Sequence, residues 1–275
     1  MALLQRFREC LHDPPAVVNA AVDSLLARAD RVAASIPEAG RPDELDVVVA
    51  GSGFLSLYFL GVNTVLTRIS NVKRYAGASS GAQAPFQLLL TGERPTLTSY
   101  LVHGYLCSGQ WLPSAMLSAD KHWRALGNDI IDANKHELGS LDGKCFVSVT
   151  HIFHGNAVYS RFSDNPELAK EAFYATGTLL TSCNGMWSTD GGVTRNEPIF
   201  SEPQEGGTRQ QLVVRPVRAS LPMRMAVGYT LEQAVHAIKY GQDDAARFFG
   251  ATGENEAIST HALALVPHLK ELQPG

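Results

Sequence analysis

Apolar residues recur at helical spacing through the first 38 positions, with Val22, Leu25, Leu26, Ala29 and Val32 falling on one face. Pro14-Pro15 marks the start of the second of two helices there, since proline suits a first turn whose N–H groups are unbonded anyway. Gly40-Arg41-Pro42 ends that segment. Residues 47–50 are wholly apolar, the pattern of a strand buried on both faces. Residues 55–68 return to helical spacing, 72–76 predict a second strand, and 82–90 a further helix whose Pro85 fits a first turn. Strand, glycine turn and helix, twice over, is the pattern of a parallel α/β sheet.

Downstream the spacing predicts helices over 97–107, 114–133 and 166–175, a strand over 145–152 and a short strand over 178–183. Residues 184–196 read as a loop, 201–211 as a flexible loop and 231–249 as a helix. No repeat, low-complexity segment or linker interrupts the chain. The expected organisation is therefore one domain over 1–275: a motif-bearing core at about 46–200, an N-terminal helical segment 1–38 and a C-terminal helical segment 231–275.

Composition narrows the function classes. At 275 residues, 45% hydrophobic and 18% charged, the chain is of ordinary globular type, not fibrous or disordered. Its 23 basic against 27 acidic residues leave a net charge of −4, so there is no basic footprint for nucleic acid. Cys10, Cys107, Cys145 and Cys183 lie far apart with no CxxC pair, and charges break the N-terminal apolar stretch that a signal peptide needs. Both features fit free thiols in a reducing, cytoplasmic compartment. The run of uncharged residues 47–67 has the length of a membrane span. However, Gly51-Ser52-Gly53 interrupts it and polar residues such as Asn63 and Thr64 dilute it, so a strand, a turn and a helix explain it better.

Three short motifs carry chemistry. Gly77-Ala78-Ser79-Ser80-Gly81 is a GxSxG between a predicted strand and a predicted helix, the setting of a nucleophile elbow. Its plain alternative is an ordinary βα turn of small residues. Ala50-Gly51-Ser52-Gly53 also joins a strand to a helix, offering bare N–H groups at a helix N-terminus, suited to negative charge. A dinucleotide fingerprint would need a third glycine where Ser56 stands and an acid about 20 residues on. No Asp or Glu occurs between Asp46 and Glu93. Asp190-Gly191-Gly192 places an acid in a glycine-rich loop, where glycine lets a short carboxylate approach another loop. A hairpin turn is the plain reading, and EF-hand spacing is absent. His151 and His154, three apart on or next to a strand, point to opposite faces and do not suit a metal.

The order of glycine loop, GxSxG and Asp-Gly-Gly resembles the patatin-like phospholipase and lipase family. Gly51-Ser52-Gly53-Phe54-Leu55, Tyr58 and Gly61-Val62 are most similar to its adipose triglyceride lipase-type branch, and the likeness runs from about Asp46 to Phe200, including Thr181-Ser182-Cys183. The chain departs at Ser56, where the family's loop has its third glycine. The resemblance implies a three-layer α/β/α sandwich with a mostly parallel central sheet. It also implies a Ser–Asp dyad, with Ser79 as nucleophile, Asp190 as base and an oxyanion hole from the N–H groups of Gly51, Ser52 and Gly53. Gly77, Gly81, Gly191 and Gly192 would support these loops. No metal or cofactor is implied. The expected activity is lipid acyl hydrolysis, of phospholipase A or acylglycerol lipase type, by a cytoplasmic enzyme peripheral to a membrane or lipid droplet.

Alternatives remain at this level. An α/β-hydrolase triad would draw its base from His236, His261 or His268. A catalytically silent lipid-binding scaffold would not need both Ser79 and Asp190, and a transacylase would use the same residues. A protein activator is left open. Met186, Trp187 and Phe200 are candidates for an acyl-chain channel or for plain core. Arg215, Arg218 and Arg224 are candidates for anionic headgroup contact or for a solvated face.

Overall fold

A computed structural model describes residues 2–107, 112–163, 165–177, 181–194, 197–198, 200, 210–222, 225, 228–250 and 262–266. The N-terminal helices are α1 (Ala2–His12) and α2 (Ala16–Ser35), the second starting directly after Pro15. Then come β1 (Glu44–Val49), α3 (Ser56–Ile69), β2 (Asn71–Ala78), α4 (Ser80–Thr91), α5 (Glu93–Cys107) and α6 (Leu112–Ala133). The second half holds β3 (Cys145–His151), β4 (Gly155–Tyr159), α7 (Pro166–Ala175), β5 (Thr181–Cys183), β6 (Met186–Asp190), β7 (Gln210–Val214), α8 (Leu231–Gly250) and β8 (Leu263–Val266). The uncharged run thus divides into β1, a turn and α3, and no described helix is long and apolar enough to cross a membrane.

All eight strands form one sheet in the order β5-β6-β3-β2-β1-β7-β8, with β4 also paired to β3. The central pairs β2–β3, β1–β2 and β1–β7 are parallel. The pairs β3–β4, β3–β6, β5–β6 and β7–β8 are antiparallel. The sheet is therefore mixed, which corrects the expectation of a mostly parallel one. For two of those pairs the physical reason is a short connection: a parallel pair needs a long crossover, whereas residues 152–154 between β3 and β4 and Asn184-Gly185 between β5 and β6 admit only antiparallel neighbours. Residues 184–196, expected to be loop, contain β6. The C-terminal segment, expected to be helical throughout, returns to the sheet as β8.

Parallel pairing sets Tyr75 beside Cys145 and Ala76 beside Phe146, so alternate residues face opposite sides of the sheet. Leu45, Val47, Val49 and Tyr75 face the main helical core, and Cys145, Val147 and Val149 continue that face beneath α4 and α7. Within that core α3 and α8 cross closely: a Cβ at Gly61 would lie 2.0 Å from the Ile238 carbonyl oxygen, and one at Gly241 2.1 Å from that of Tyr58. The opposite face carries Val48, Ala76, Phe146 and Val213 with Phe200. No helical residue belongs to that cluster. Arg74 lies there with its guanidinium 4.3 Å from the Phe200 ring centre, ion-paired to the fully buried Asp46 at 2.5 Å.

Candidate active site

The pairing along β3 explains how two distant motifs meet. Ala78, the last residue of β2, sits opposite Ser148, and Asp190, the last residue of β6, sits opposite Val149. Since β4 occupies the other edge of β3 at these positions, β2 and β6 lie end to end along one edge. Adjacent residues of β3 thus bring the GxSxG turn and the Asp loop to the same place.

Ser79 links β2 to α4 at φ 56°, ψ −140°, a left-handed backbone conformation that a side chain rarely adopts. Residues held so are strained and persist only where their surroundings fix them. Here the flanking glycines permit the sharp turn. A Cβ at Gly77 would lie 2.0 Å from the Gly81 carbonyl oxygen, and one at Gly81 2.5 Å from that of Val49. The half-buried Ser79 side chain lies close enough to Asp190 to lower its carboxyl pKa. Pro85 is the sixth residue of α4, inside the helix, because the helix begins two residues earlier than its apolar spacing implies.

Asp190 caps a single turn of 3-10 helix (Gly191–Val193), its Oδ1 accepting the Gly192 N–H at 2.7 Å. Burial pushes its carboxyl above the usual carboxylate range, while the nearby Ser79 hydroxyl and the Gly192 N–H pull it partly back. A Cβ at Gly191 would lie 2.1 Å from the Ser148 carbonyl oxygen, so only glycine lets the loop lie against β3. The Asp190 carbonyl accepts from Thr150 Oγ1 at 2.9 Å, and that oxygen also meets Thr194 Oγ1 at 2.9 Å.

The turn after β1 puts Gly53 at φ 55° and opens into a short 3-10 turn (Gly53–Leu55) ahead of α3. Ser52 is buried, and Gly51 and Gly53 are half-buried. Ala50 donates to the Val214 carbonyl at 2.9 Å, which fixes the loop to β7. Sequence reasoning missed what holds its far side. The Phe54 ring packs 5.0 Å from His103, 5.0 Å from Tyr229 and 6.0 Å from Trp123, centre to centre. Phe54 directly follows the glycine loop, which was the one available signal; its partners come from three distant segments.

Other candidates fall elsewhere. His236 is exposed on α8, and His261 and His268 lie outside the described residues. His151 is buried in β3 with both ring nitrogens engaged, by Ser188 Oγ at 2.7 Å and Tyr159 OH at 2.8 Å. Burial raises the Cys107 and Cys183 thiols to about 11, so neither is a ready thiolate nucleophile. Phe200 packs on Phe146 and Arg74 as core, and Trp187 is exposed. Arg215 pairs with Glu197 instead of standing free for headgroups, Arg218 is exposed, and Arg224 lies outside the described residues. No group of three or more metal-ligating side chains gathers among the described residues. A cavity of about 720 Å³ between α1, α5 and α6, lined by Arg8, Gln87, Arg94 and Asp129, includes neither Ser79 nor Asp190.

Compared with known proteins, the chain matches no family model and no curated protein.

Proposed function

We propose that the chain is a patatin-like serine hydrolase that cleaves carboxylic esters of lipids, as a phospholipase A or acylglycerol lipase, through an acyl-Ser79 intermediate. The observation that carries this reading is the meeting of Ser79, on a strained strand-to-helix turn, with the half-buried Asp190 at adjacent positions along β3, close enough for Ser79 to lower the Asp190 pKa. A serine hydroxyl attacks an ester only if a neighbour takes its proton. Asp190 accepts that proton as Ser79 Oγ bonds to the carbonyl carbon. The tetrahedral oxyanion sits against the N–H groups of Gly51, Ser52 and Gly53, and the N-terminal ends of α3 and α4 add positive potential. Collapse breaks the ester C–O bond, and the proton passes from Asp190 to the leaving alkoxide. Water then attacks the acyl-enzyme, gives its proton to Asp190, and releases the fatty acid as Ser79 regains its hydrogen. The site would be reached at a membrane or lipid-droplet surface.

The test is hydrolysis of medium- and long-chain p-nitrophenyl esters by the wild type, Ser79→Ala and Asp190→Asn, with fluorophosphonate labelling. Turnover in the wild type, falling at least about 10³-fold in both variants, supports the dyad, as does a label lost in Ser79→Ala. A folded wild type that neither turns over nor takes the label overturns it.

A further inference from the structure

We propose that the hairpin between β3 and β4, together with Trp187 of β6, docks the protein on a lipid–water interface that carries no net charge. This rests on the lipid-hydrolase reading and names the surface from which that site would draw substrate. Ile152, Phe153 and Trp187 are 47%, 81% and 60% exposed, whereas most of the chain's large apolar side chains are buried. They form one patch. His151 pairs with Ser188, so the next position sets Ile152 opposite Trp187, and the Ile152 N–H donates to the Trp187 carbonyl at 3.0 Å. Directly opposed residues project from the same face of a sheet, and Phe153 follows at the tip.

The patch adjoins the site. Ile152, just beyond β3, lies three residues along the chain from Val149, the partner of Asp190, or roughly 10 Å at strand spacing. Val193, 69% exposed, adjoins Asp190's own loop and adds a further apolar side chain on that side. Exposed apolar clusters of this kind mark interaction surfaces, and Trp suits a boundary where one end is apolar and the other wet.

Charge selects the occupant. Residues 145–160 contain no Lys, Arg, Asp or Glu, and residues 181–194 contain only Asp190. An anionic membrane is recognised by basic clusters; among the described residues this rim has none, and it suits a zwitterionic phospholipid surface without net charge. Arg215, one of the sequence's candidates for headgroup contact, is held by Glu197.

The experiment uses the full chain carrying Ser79→Ala, sedimented with phosphatidylcholine vesicles, with and without phosphatidylserine and at low and high salt. Binding to pure phosphatidylcholine is expected, indifferent to phosphatidylserine and to salt. Phe153→Ser with Trp187→Ser should weaken it at least about tenfold, since each ring offers on the order of 150–250 Å² of contact. Both side chains are exposed, and an unchanged melting temperature checks that the variant folds. Unchanged binding in the double variant overturns the proposal, as does absence of binding, or binding that needs phosphatidylserine. A wild type that is dimeric and becomes monomeric on substitution also overturns it, the patch then being a contact between copies. In the Ser79-intact background, turnover of a water-soluble short-chain ester separates the two readings. If that turnover is absent while vesicle binding depends on the patch, the hydrolase reading fails and the docking surface stands.

Discussion

Asp190 is asked to hold a negative charge where burial disfavours one. Its folded carboxyl titrates above the ordinary value because desolvation outweighs the nearby Ser79 hydroxyl and the Gly192 N–H. An acid whose folded pKa is raised stabilises the native state below its unfolded pKa, and that contribution is lost as pH rises through the folded one. At neutral pH the ionised Asp190 therefore opposes folding. Asparagine is nearly the same shape, can still accept from Gly192 and donates to Ser79 without the charge. Asp190→Asn should therefore melt higher than wild type at pH 7, by an increment that shrinks on acidification and vanishes below the ordinary carboxylate range. Its turnover should be lost throughout. Thermal melts across pH read this directly; a variant that melts lower at pH 7 would show that the hydrogen bonds, not the charge, dominate the energetics. The same raised pKa places the acid limb of the wild-type rate profile above that of a free aspartate, because the base must be ionised to act.

At the scale of elements, two sets of glycines do different work. Gly81 and Gly191 let α4 and the Asp loop touch strand backbone beside the site, whereas Gly61 and Gly241 let α3 and α8 cross in the core. A methyl at either kind of position meets backbone oxygen and forces a shift, costing about 1–3 kcal/mol as overpacking does. Gly241→Ala should lower stability while folded molecules take a fluorophosphonate at nearly the wild-type rate. Gly191→Ala should lower both, because it pushes Asp190 away from Ser79. Labelling rates normalised to folded protein, beside denaturant melts, separate the two; equal labelling in both variants would count against the Asp loop as part of the site. The sequence made the first βαβα run legible because each element there is long, periodic and preceded by glycine or proline punctuation. Ser79 and Asp190 were legible as motifs for the same reason. β6 was not: five residues, Met186–Asp190, carry too little alternation to stand out against a loop. The overlooked cue was Asn184-Gly185, whose φ values of 51° and 73° make the tight turn between β5 and β6. Without β6 the sheet reads as parallel, and the end-to-end meeting of β2 and β6 cannot be foreseen. The aromatic packing around Phe54 was invisible for a different reason, since His103, Trp123 and Tyr229 meet only after α5, α6 and the segment before α8 have packed.

Across the whole molecule the sheet ties the parts of the site together, since β1 pairs with β2 as far as Val49 opposite Gly77. Ser79 and Asp190 are aligned by β3, while Gly51, Ser52 and Gly53 follow β1, which lies between β2 and β7. A further tie, between β7 and the Asp loop's continuation, is Arg215, directly after β7, whose guanidinium binds Glu197 through Nε to Oε1 and through Nη2 to Oε2 at 2.8 Å. The pair is partly shielded, with side chains 17% and 37% exposed, and the bond to Glu197 raises the Arg215 pKa. A two-pronged contact of this kind fixes direction as well as distance. Its worth to global stability should be small, about 1 kcal/mol or less, as for other pairs near the surface. Its effect on turnover should be larger, because a displacement of about 1 Å between base and oxyanion donors costs up to about 10²-fold. Arg215→Ala and Glu197→Ala are each expected to lower kcat about tenfold with little change in KM and a modest fall in melting temperature. Arg215→Glu combined with Glu197→Arg restores the attraction with its ends exchanged, and should recover part of the lost kcat. Steady-state kinetics on a soluble ester decide the matter, since that substrate needs no interface. Singles that keep full kcat would assign the alignment of base and oxyanion donors to the sheet and the aromatic packing around Phe54. A swap no better than either single would mean that the fork geometry of arginine at position 215, and not charge alone, registers the loop.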